Sequence, residues 1–275
     1  MKAESINSSN NSGEAEQLTA DRAIANLNQK KDLGARYYAA WWLGKFRIKE
    51  SRAIAALLTA LEDEQDRAPD GGYPLRRNAA RALGKLGDKQ AVEPLIRCLE
   101  FPDYYVREAA AQALEVLEDR RCIPALMKLL AGGIEVATRV EKKPHLVQPY
   151  EAIIEALGTL GATEAIKLVA PFTRHSTEKV KYAAARAMYQ LTKEEQYGEM
   201  LIQALSGDDL QLRRSALMDL GAVGYTKAGQ AIADTLAENS MKLIALKGLL
   251  EANLSDRAEI SSESKNLMKL MDSLL

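Results

Sequence analysis

The sequence predicts an all-α fold in which pairs of helices stack into a solenoid. Ala, Leu, Glu and Lys dominate the composition and only 8 of the 275 residues are Pro, which favours helix over strand. A short apolar pattern recurs through most of the chain, and a second apolar segment follows each copy. Because a solenoid grows by adding units, the chain length does not imply a second core.

The recurring pattern has a basic residue at position 0, small residues at positions 3 and 4, and a large apolar residue at position 7. Its first copy is RYYAAWWLGKF, from Arg36 to Phe46. Positions 0, 3, 7 and 10 lie on one face of an α-helix. The column at position 0 consists of Arg36, Arg76, Arg107, Tyr150, Lys181 and Arg213. With a second helix in each unit of about 31 residues, this pattern predicts a HEAT-like α-α superhelix of about six two-helix repeats plus terminal helices.

The organisation along the chain is one solenoid domain, residues 18–275, after a disordered tail at residues 1–17 that is rich in Ser, Asn and Glu. Two repeat spacings exceed the period, and Gly and Pro in the extra residues predict loop insertions near residues 62–74 and 131–146. Both fall between the second helix of one repeat and the first helix of the next. They should therefore emerge on one side, either as part of a binding face or as tolerated loop length.

The basic column is expected to be architectural. Asp32, Asp103 and Asp209 each precede a basic residue of the column by four positions. We expect these aspartates to cap their helices, and the column to pair with acidic turns of adjacent repeats.

Composition excludes several classes of partner. Lys and Arg number 37 against 38 Asp and Glu, a net charge of -1, so no global field attracts nucleic acid or an anionic membrane. No apolar stretch approaches the roughly 20 residues that span a bilayer. Cys98 and Cys122 are the two cysteines and form no CxxC pair, which argues against a disulfide framework or a metal site. A soluble cytoplasmic protein without nucleic-acid or membrane partners is predicted.

Motifs for self-contained catalysis are absent from the sequence. It has no Gly-rich phosphate loop, HExxH or GxSxG. The two histidines leave few candidates for a histidine-based triad. His145 lies in the second insertion and could reach over a groove, whereas His175 is predicted to be a surface residue.

Positions 1 and 5 of the recurring helix form a second, outward-facing stripe. In order it reads Tyr37 and Trp41, Arg77 and Arg81, Glu108 and Gln112, Glu151 and Glu155, Tyr182 and Arg186, Arg214 and Met218. If this helix lines the concave side, the groove is aromatic, then basic, then acidic, then basic again. Such a groove suits a long, flat, amphipathic ligand; the alternative is an ordinary solvated helix face. Two exposed aromatics together favour a ligand or partner.

Five segments resemble a known family, the E subunits of the cyanobacterial E/F-type phycocyanobilin lyases. They are RYYAAWWLGKFR (36–47), GGYPLRRNAARALGKLGD (71–88), YYVREAAAQALE (104–115), QPYEAIIEALG (148–158) and KYAAARAMYQLT (181–192). The resemblance spans roughly Thr19 to Asn253. It implies a heterodimer with an F-type subunit and attachment of phycocyanobilin, through a thioether, to a cysteine of the phycocyanin α subunit. It also implies that the bilin is substrate and that no cofactor takes part.

Combined with the stripe, the resemblance assigns candidate roles. Tyr37, Tyr38, Trp41 and Trp42 would form an aromatic wall, unless Tyr38 or Trp42 is buried between helices. Arg76, Arg77 and Arg81 would hold the propionates, with Asn78 nearby. Glu108 or Glu151 would contact the pyrrole nitrogens, and Tyr73, Tyr104, Tyr150 and His145 would line the rim. Glu108, Glu151 and His145 are the catalytic candidates.

Two other functions fit the same residues. A related lyase could serve another biliprotein, such as phycoerythrocyanin, with specificity residing in the partner subunit. A HEAT-like protein could also act as a non-enzymatic adaptor in phycobilisome assembly or turnover.

Overall fold

The computed structural model describes residues 18–254 and 260–275, which form α-helices joined by loops and short 3-10 turns. The tail predicted at residues 1–17 lies outside these residues. Within them, the extended pairing is confined to one bridge between Arg139 and Leu146. None of the described helices combines the length and apolarity needed to cross a bilayer.

The helices form two layers. The helices that carry the recurring pattern are α2 (Leu33–Lys45), α4 (Pro74–Leu86), α6 (Tyr104–Leu117), α8 (Tyr150–Thr159), α10 (Glu178–Thr192), α12 (Leu210–Val223) and α14 (Asn239–Leu254). Those of the other layer are α1 (Ala20–Asn28), α3 (Ser51–Ala60), α5 (Val92–Cys98), α7 (Ile123–Leu130), α9 (Ile166–Val169), α11 (Glu195–Ala204) and α13 (Gly229–Asp234), with α15 (Ser262–Asp272) at the end. Successive helices of the first set pack on one another along the whole chain, whereas successive helices of the second set, apart from α1 and α3, make few contacts. The first set is therefore the inner, concave layer.

Aspartate caps begin several inner helices, as the sequence predicts. The side chains of Asp32, Asp103 and Asp209 each accept a hydrogen bond from a backbone N–H in the first turn of α2, α6 and α12. Thr19 caps α1 in the same way. Each cap satisfies a donor that the helix itself leaves free.

Glycine at position 8 sets the spacing between inner helices. A Cβ atom on Gly44 would lie 2.7 Å from the Cα of Ala82, and one on Gly84 would lie 2.8 Å from the Cα of Ala113. The same close approach occurs at Gly158 and at Gly221. Only glycine allows these backbones to come so near.

We call the contact between two neighbouring inner helices a seam, and two seams lack this glycine. Position 8 is Glu115 in α6 and Tyr189 in α10. The α6–α8 and α10–α12 pairs are correspondingly the loosest in the inner layer. The hydrophobic core also divides in this part of the chain, with one cluster ending at Met188 and the next beginning at Ala185.

The basic column anchors inner helices to the ends of outer ones. The Arg36 guanidinium forms a buried ion pair with Asp63, with Nη2 2.8 Å from Oδ2, and its Nε–H donates to the Leu27 carbonyl. The prediction named an acidic turn of an adjacent repeat, whereas Asp63 follows α3, the second helix of the same repeat. Arg107 and Arg213 instead donate chiefly to backbone carbonyls. The column is architectural, and most of its acceptors are the free carbonyls at segment ends.

The column extends one helix further than the sequence predicted. Lys242 of α14 is buried and donates to the Ala233 carbonyl at 2.8 Å, while Ala245 and Leu249 take the small and large apolar positions. A segment predicted only as one of the terminal helices thus supplies a seventh inner helix, and α15 packs against α13 and α14.

Both predicted insertions are loops between an outer and an inner helix, between α3 and α4 and between α7 and α8. A hydrogen bond to His175 holds the second insertion in place. This histidine is buried, its Nε2 lies 2.8 Å from the Ala137 carbonyl oxygen, and its Nδ1 accepts from Thr177 N–H. The prediction of a surface position for His175 is wrong, because a long loop covers it.

Candidate functional site

The concave surface begins with exposed aromatic rings on α2. Tyr37 and Trp41 are 39% and 41% exposed, and the ring of Tyr38 stacks on Trp41 with centroids 5.4 Å apart. Trp42 is half-buried against Phe46. Of the predicted wall, Tyr37, Tyr38 and Trp41 are available to a ligand, and Trp42 belongs partly to the core.

The next helix, α4, presents two arginines to the groove. Arg81 lies 4.0 Å from the Glu108 carboxylate, and the Arg77 guanidinium lies over the Tyr105 ring, 5.5 Å from its centroid. Arg81 is exposed and Arg77 half-buried. Both retain donors that could meet a carboxylate ligand.

Two other residues predicted on α4 do not reach the groove. Arg76 is buried and donates to the carbonyls of Glu62 and Asp63. Asn78 is buried and donates to the Tyr37 carbonyl across the α2–α4 seam. Placing these side chains on a ligand was wrong, because position 0 faces the outer layer and position 2 faces the neighbouring helix.

An aromatic cluster joins the second insertion to α6. The His145 imidazole stacks on Tyr104, and the Tyr105 ring meets both edge-on. Burial raises the pKa of Tyr104 to about 12, with Glu108 and Glu151 adding to the effect. Its phenol therefore remains a hydrogen-bond donor throughout the physiological pH range.

Beneath this cluster lies a cavity of about 250 Å³. Its lining includes Tyr104, Tyr105, Glu108, His145, Glu151 and Lys179. Burial raises the pKa of both carboxyl groups, opposed chiefly by Arg81 at Glu108 and by Lys179 at Glu151. Three predicted residues, Glu108, Glu151 and His145, thus meet in one place.

Two other predicted rim residues differ in their position. Tyr150 is among the residues that line the first cavity, but it is only 2% exposed and packs against Phe172 in the core, because it occupies position 0 of its repeat. Tyr73 lies edge-on to Phe101, with the Arg67 guanidinium 3.9 Å from its ring centroid. Its contacts belong to the first insertion and not to the cluster around His145.

A second cavity, of about 380 Å³, continues the groove toward α12 and α14. It shares Glu151 and Lys179 with the first cavity. Its remaining lining includes Glu155, Tyr182, Arg214, Met218, Asp219 and Met241. The mixture of carboxyl, basic and apolar groups is typical of a site for an amphipathic ligand.

Behind this cavity, one guanidinium is surrounded by three carboxyl groups; we name Glu115, Glu155, Arg186 and Asp219 the arginine–carboxylate cluster. Arg186 nitrogens lie 3.5 Å from Glu115, 3.7 Å from Glu155 and 3.5 Å from Asp219. Burial raises the pKa of Glu155 to about 8, opposed by Arg186 and reinforced by the neighbouring carboxylates. Burial likewise raises the pKa of Asp219 to about 6.

Sequence reasoning placed Glu155 and Arg186 on the stripe but missed the cluster. Glu115 occupies position 8 and Asp219 occupies position 6, outside the columns that define the stripe. One signal was available: Glu115 stands where four of the repeats have glycine. A charged residue at a seam that otherwise needs glycine indicates a local change in packing.

Similarity to known proteins decides the family. Residues 35–63 match the PBS lyase HEAT-like repeat, and residues 68–133 match HEAT repeats. A phycocyanobilin lyase subunit alpha of Picosynechococcus is 63% identical over 262 residues, 95% of this chain and 98% of that protein. The chain belongs to the family of phycocyanobilin lyase alpha subunits. The predicted fold class and family are thereby confirmed.

Two further relatives and one solved structure are also similar to this chain. A phycocyanobilin lyase subunit alpha of Synechocystis is 61% identical, covering 94% of this chain and 96% of the relative. A bilin biosynthesis protein, PecE of Nostoc, is 43% identical with the same coverage. In the structure of the complex of CpcE and CpcF of phycocyanin lyase from Nostoc, a chain 60% identical aligns over the full length of both chains with a TM-score of 0.87.

Proposed function

We propose that the chain is the alpha subunit of a cytoplasmic phycocyanobilin lyase. Together with a CpcF-type subunit, it attaches phycocyanobilin to a cysteine of the phycocyanin α subunit through a thioether. The observation that carries the proposal is similarity along nearly the whole length of this chain and of its lyase relatives. The identity to a phycocyanobilin lyase alpha subunit (63%) exceeds that to the bilin biosynthesis protein PecE (43%), which supports the assignment to the phycocyanobilin lyases.

The groove matches the chemistry of an open-chain tetrapyrrole. Such a ligand is flat and conjugated, carries two propionate groups, and has ring nitrogens that can be protonated. Exposed Tyr37 and Trp41 offer faces for stacking. Arg77 and Arg81 offer donors for a propionate, and the carboxyl groups of Glu108 and Glu151 offer acceptors for ring N–H groups. Together these groups hold the bilin in one conformation.

The acceptor protein supplies the nucleophile. Cys98 and Cys122 are both buried and form no disulfide, and burial raises the pKa of each thiol to about 11. Neither thiol is accessible or acidic enough to attack a bilin. We therefore propose that the bilin is held non-covalently on this chain and that attachment needs no further cofactor.

Co-expression tests the proposed function. The chain is produced with a CpcF-type subunit, phycocyanobilin and the phycocyanin α subunit, and the α subunit is examined on a denaturing gel. A covalent, zinc-fluorescent α-subunit band that requires this chain supports the lyase. Bilin bound to this chain without transfer would instead support an adaptor. Replacing the acceptor by a phycoerythrocyanin α subunit tests the other substrate.

A further inference from the structure

The second cavity differs from the first in the groups that stand behind it. The carboxyl groups of Glu155 and Asp219 line it, and their side chains are 24% and 17% exposed. Within the described residues, Arg186 is the cation that contacts each of them. Glu115, by contrast, also accepts a hydrogen bond from the Thr159 hydroxyl at 2.7 Å. Glu155 and Asp219 are thus the cluster's two carboxyl groups that can reach a ligand.

The cluster carries more acid groups than its one cation can neutralise. Three ionised carboxylates around Arg186 would leave an excess of two negative charges in a partly buried place, which is costly. Hydrogen bonds from Arg186 do not offset this cost. Its buried Nε lies 3.5 Å from the Asp219 carboxylate but makes no hydrogen bond of good geometry. Such a cluster relieves its charge by keeping a proton on one carboxyl group.

We propose that Glu155 and Asp219 form the proton-transfer pair of bilin attachment, donating a proton to a ring nitrogen of the tetrapyrrole in the second cavity. Arg186 is a positioning residue that holds both carboxyl groups toward the cavity. This inference rests on the proposed function and assigns the proton donor within it. Glu108, which lines the first cavity, and Glu151, which lines both, are then ligand contacts.

The proton balance of the step is complete. One carboxylic acid of the pair protonates a ring nitrogen, which makes the ethylidene carbon more electrophilic. The acceptor thiol loses its proton to water as sulfur bonds to that carbon, and the electron pair of the exocyclic double bond moves into the ring system. The adjacent ring carbon then takes one proton from water, and the ring nitrogen returns its proton to the carboxylate. One S–H and one C=C bond are exchanged for one C–S and one C–H bond.

Other titratable groups face the pair from the packed helices. They are Glu115 from α6, Glu151 from α8, Lys179, Tyr182 and Arg186 from α10, and Arg214 from α12. Arg214 is ion-paired with Glu238, and Lys179 lines both cavities. Burial raises the pKa of Glu155 to about 8 although Arg186 opposes the shift. Glu155 is therefore the donor that retains its proton near neutral pH.

The test uses the reconstituted complex with the CpcF-type subunit, phycocyanobilin and the phycocyanin α subunit. Attachment rates are measured between about pH 6 and 9 for wild type, Glu155→Gln, Asp219→Asn and the double variant. We expect the double variant to be about 100-fold slower, the usual contribution of a positioned acid. The fall in wild-type rate near pH 8 should be absent in Glu155→Gln. The long-wavelength absorption of a protonated bilin in the complex should weaken as well.

Matched controls separate this role from a structural one. Glu164→Gln changes an exposed carboxyl group outside the groove and should keep the wild-type rate and pH profile. Glu155→Asp keeps an acid and should restore part of the rate. A double variant with wild-type rate, pH profile and absorption would overturn the inference and leave the proposed function standing. Wild-type protein that attaches no bilin would instead overturn the proposed function.

Discussion

The imidazole of His145 lies flat on the phenol ring of Tyr104, with ring centroids 4.2 Å apart and planes inclined by 14°. This contact ties the second insertion to inner helix α6 and covers the first cavity. Backbone hydrogen bonds from Val140 to His145 and from Val147 to Thr138 stiffen the loop itself. The insertion is therefore a structured wall of the groove.

Replacing His145 tests that role. In His145→Ala the loop loses its ring contact, worth about 0.5–1.5 kcal/mol, so hydrogen exchange at residues 138–147 should accelerate and bilin attachment should slow. His145→Phe keeps a stacking ring and should retain both properties. Lys143→Ala, an exposed change in the same loop, is the control. If the imidazole were catalytic, His145→Phe would be as inactive as His145→Ala even though its hydrogen exchange stays at the wild-type rate.

The aromatic and basic start of the groove is tested by Trp41→Ala combined with Arg77→Ala. Loss of a stacking face and of a propionate donor should weaken bilin binding at least about tenfold and lower transfer by the reconstituted pair. Arg97→Ala removes an exposed arginine on outer helix α5 and should leave binding unchanged. Unchanged transfer by the double variant would show that the bilin binds elsewhere.

The arginine–carboxylate cluster should make stability depend on pH without any ligand. The pKa of Glu155 is raised from 4.5 in the unfolded chain to about 8 in the fold, so the folded state binds more protons in this window. Stability is then greatest at the acidic end and falls as pH rises from about 5 to about 8. Asp219 acts in the same direction between its unfolded value and about 6.

Thermal unfolding of the isolated chain measures this effect. The midpoint temperature of Glu155→Gln should decline less between about pH 5 and 8 than that of wild type, because glutamine does not titrate. Glu164→Gln should follow the wild-type curve. Equal slopes for Glu155→Gln and wild type would mean that Glu155 is not protonated in the folded protein at neutral pH.

The close approach of inner helices at glycine predicts that a single added methyl group lowers the stability of the fold. In Gly84→Ala the new Cβ would lie 2.8 Å from the backbone of Ala113, so α4 and α6 must separate at a cost of about 1–3 kcal/mol. Gly34→Ala, also in an inner helix, meets only the Asp32 side chain at 3.4 Å and should be neutral or slightly stabilising. Urea denaturation of the two variants makes the comparison. Equal stability would show that the seam can relax.

The sequence was sufficient for the architecture, because periodicity and caps act locally. The apolar columns, the aspartate caps and the two insertions all appear where the pattern predicted them. The assignment of Arg76 to a ligand conflicted with the architectural role expected of position 0. The structure agrees with that role, because the Arg76 side chain donates to backbone carbonyls just after α3.

Parts of the groove depend on contacts that no single repeat encodes. His175 is buried because a distant loop folds over it. The arginine–carboxylate cluster draws its members from α6, α8, α10 and α12, at three different repeat positions. Such a cluster exists only once the repeats are stacked, so a column-by-column comparison of the sequence does not bring its members together.

The pattern of seams also has a mechanical consequence. Glycine holds α2, α4 and α6 together, then α8 and α10, then α12 and α14, while Glu115 and Tyr189 interrupt the two seams between these groups. The inner layer thus consists of three closely packed blocks that meet at two loosely packed joints, and both cavities border those joints. We expect a ligand bound across a joint to restrict the angle between the neighbouring blocks. Because that angle sets the distance between the two ends of the solenoid, an occupied groove should present a partner subunit with a different curvature from an empty one.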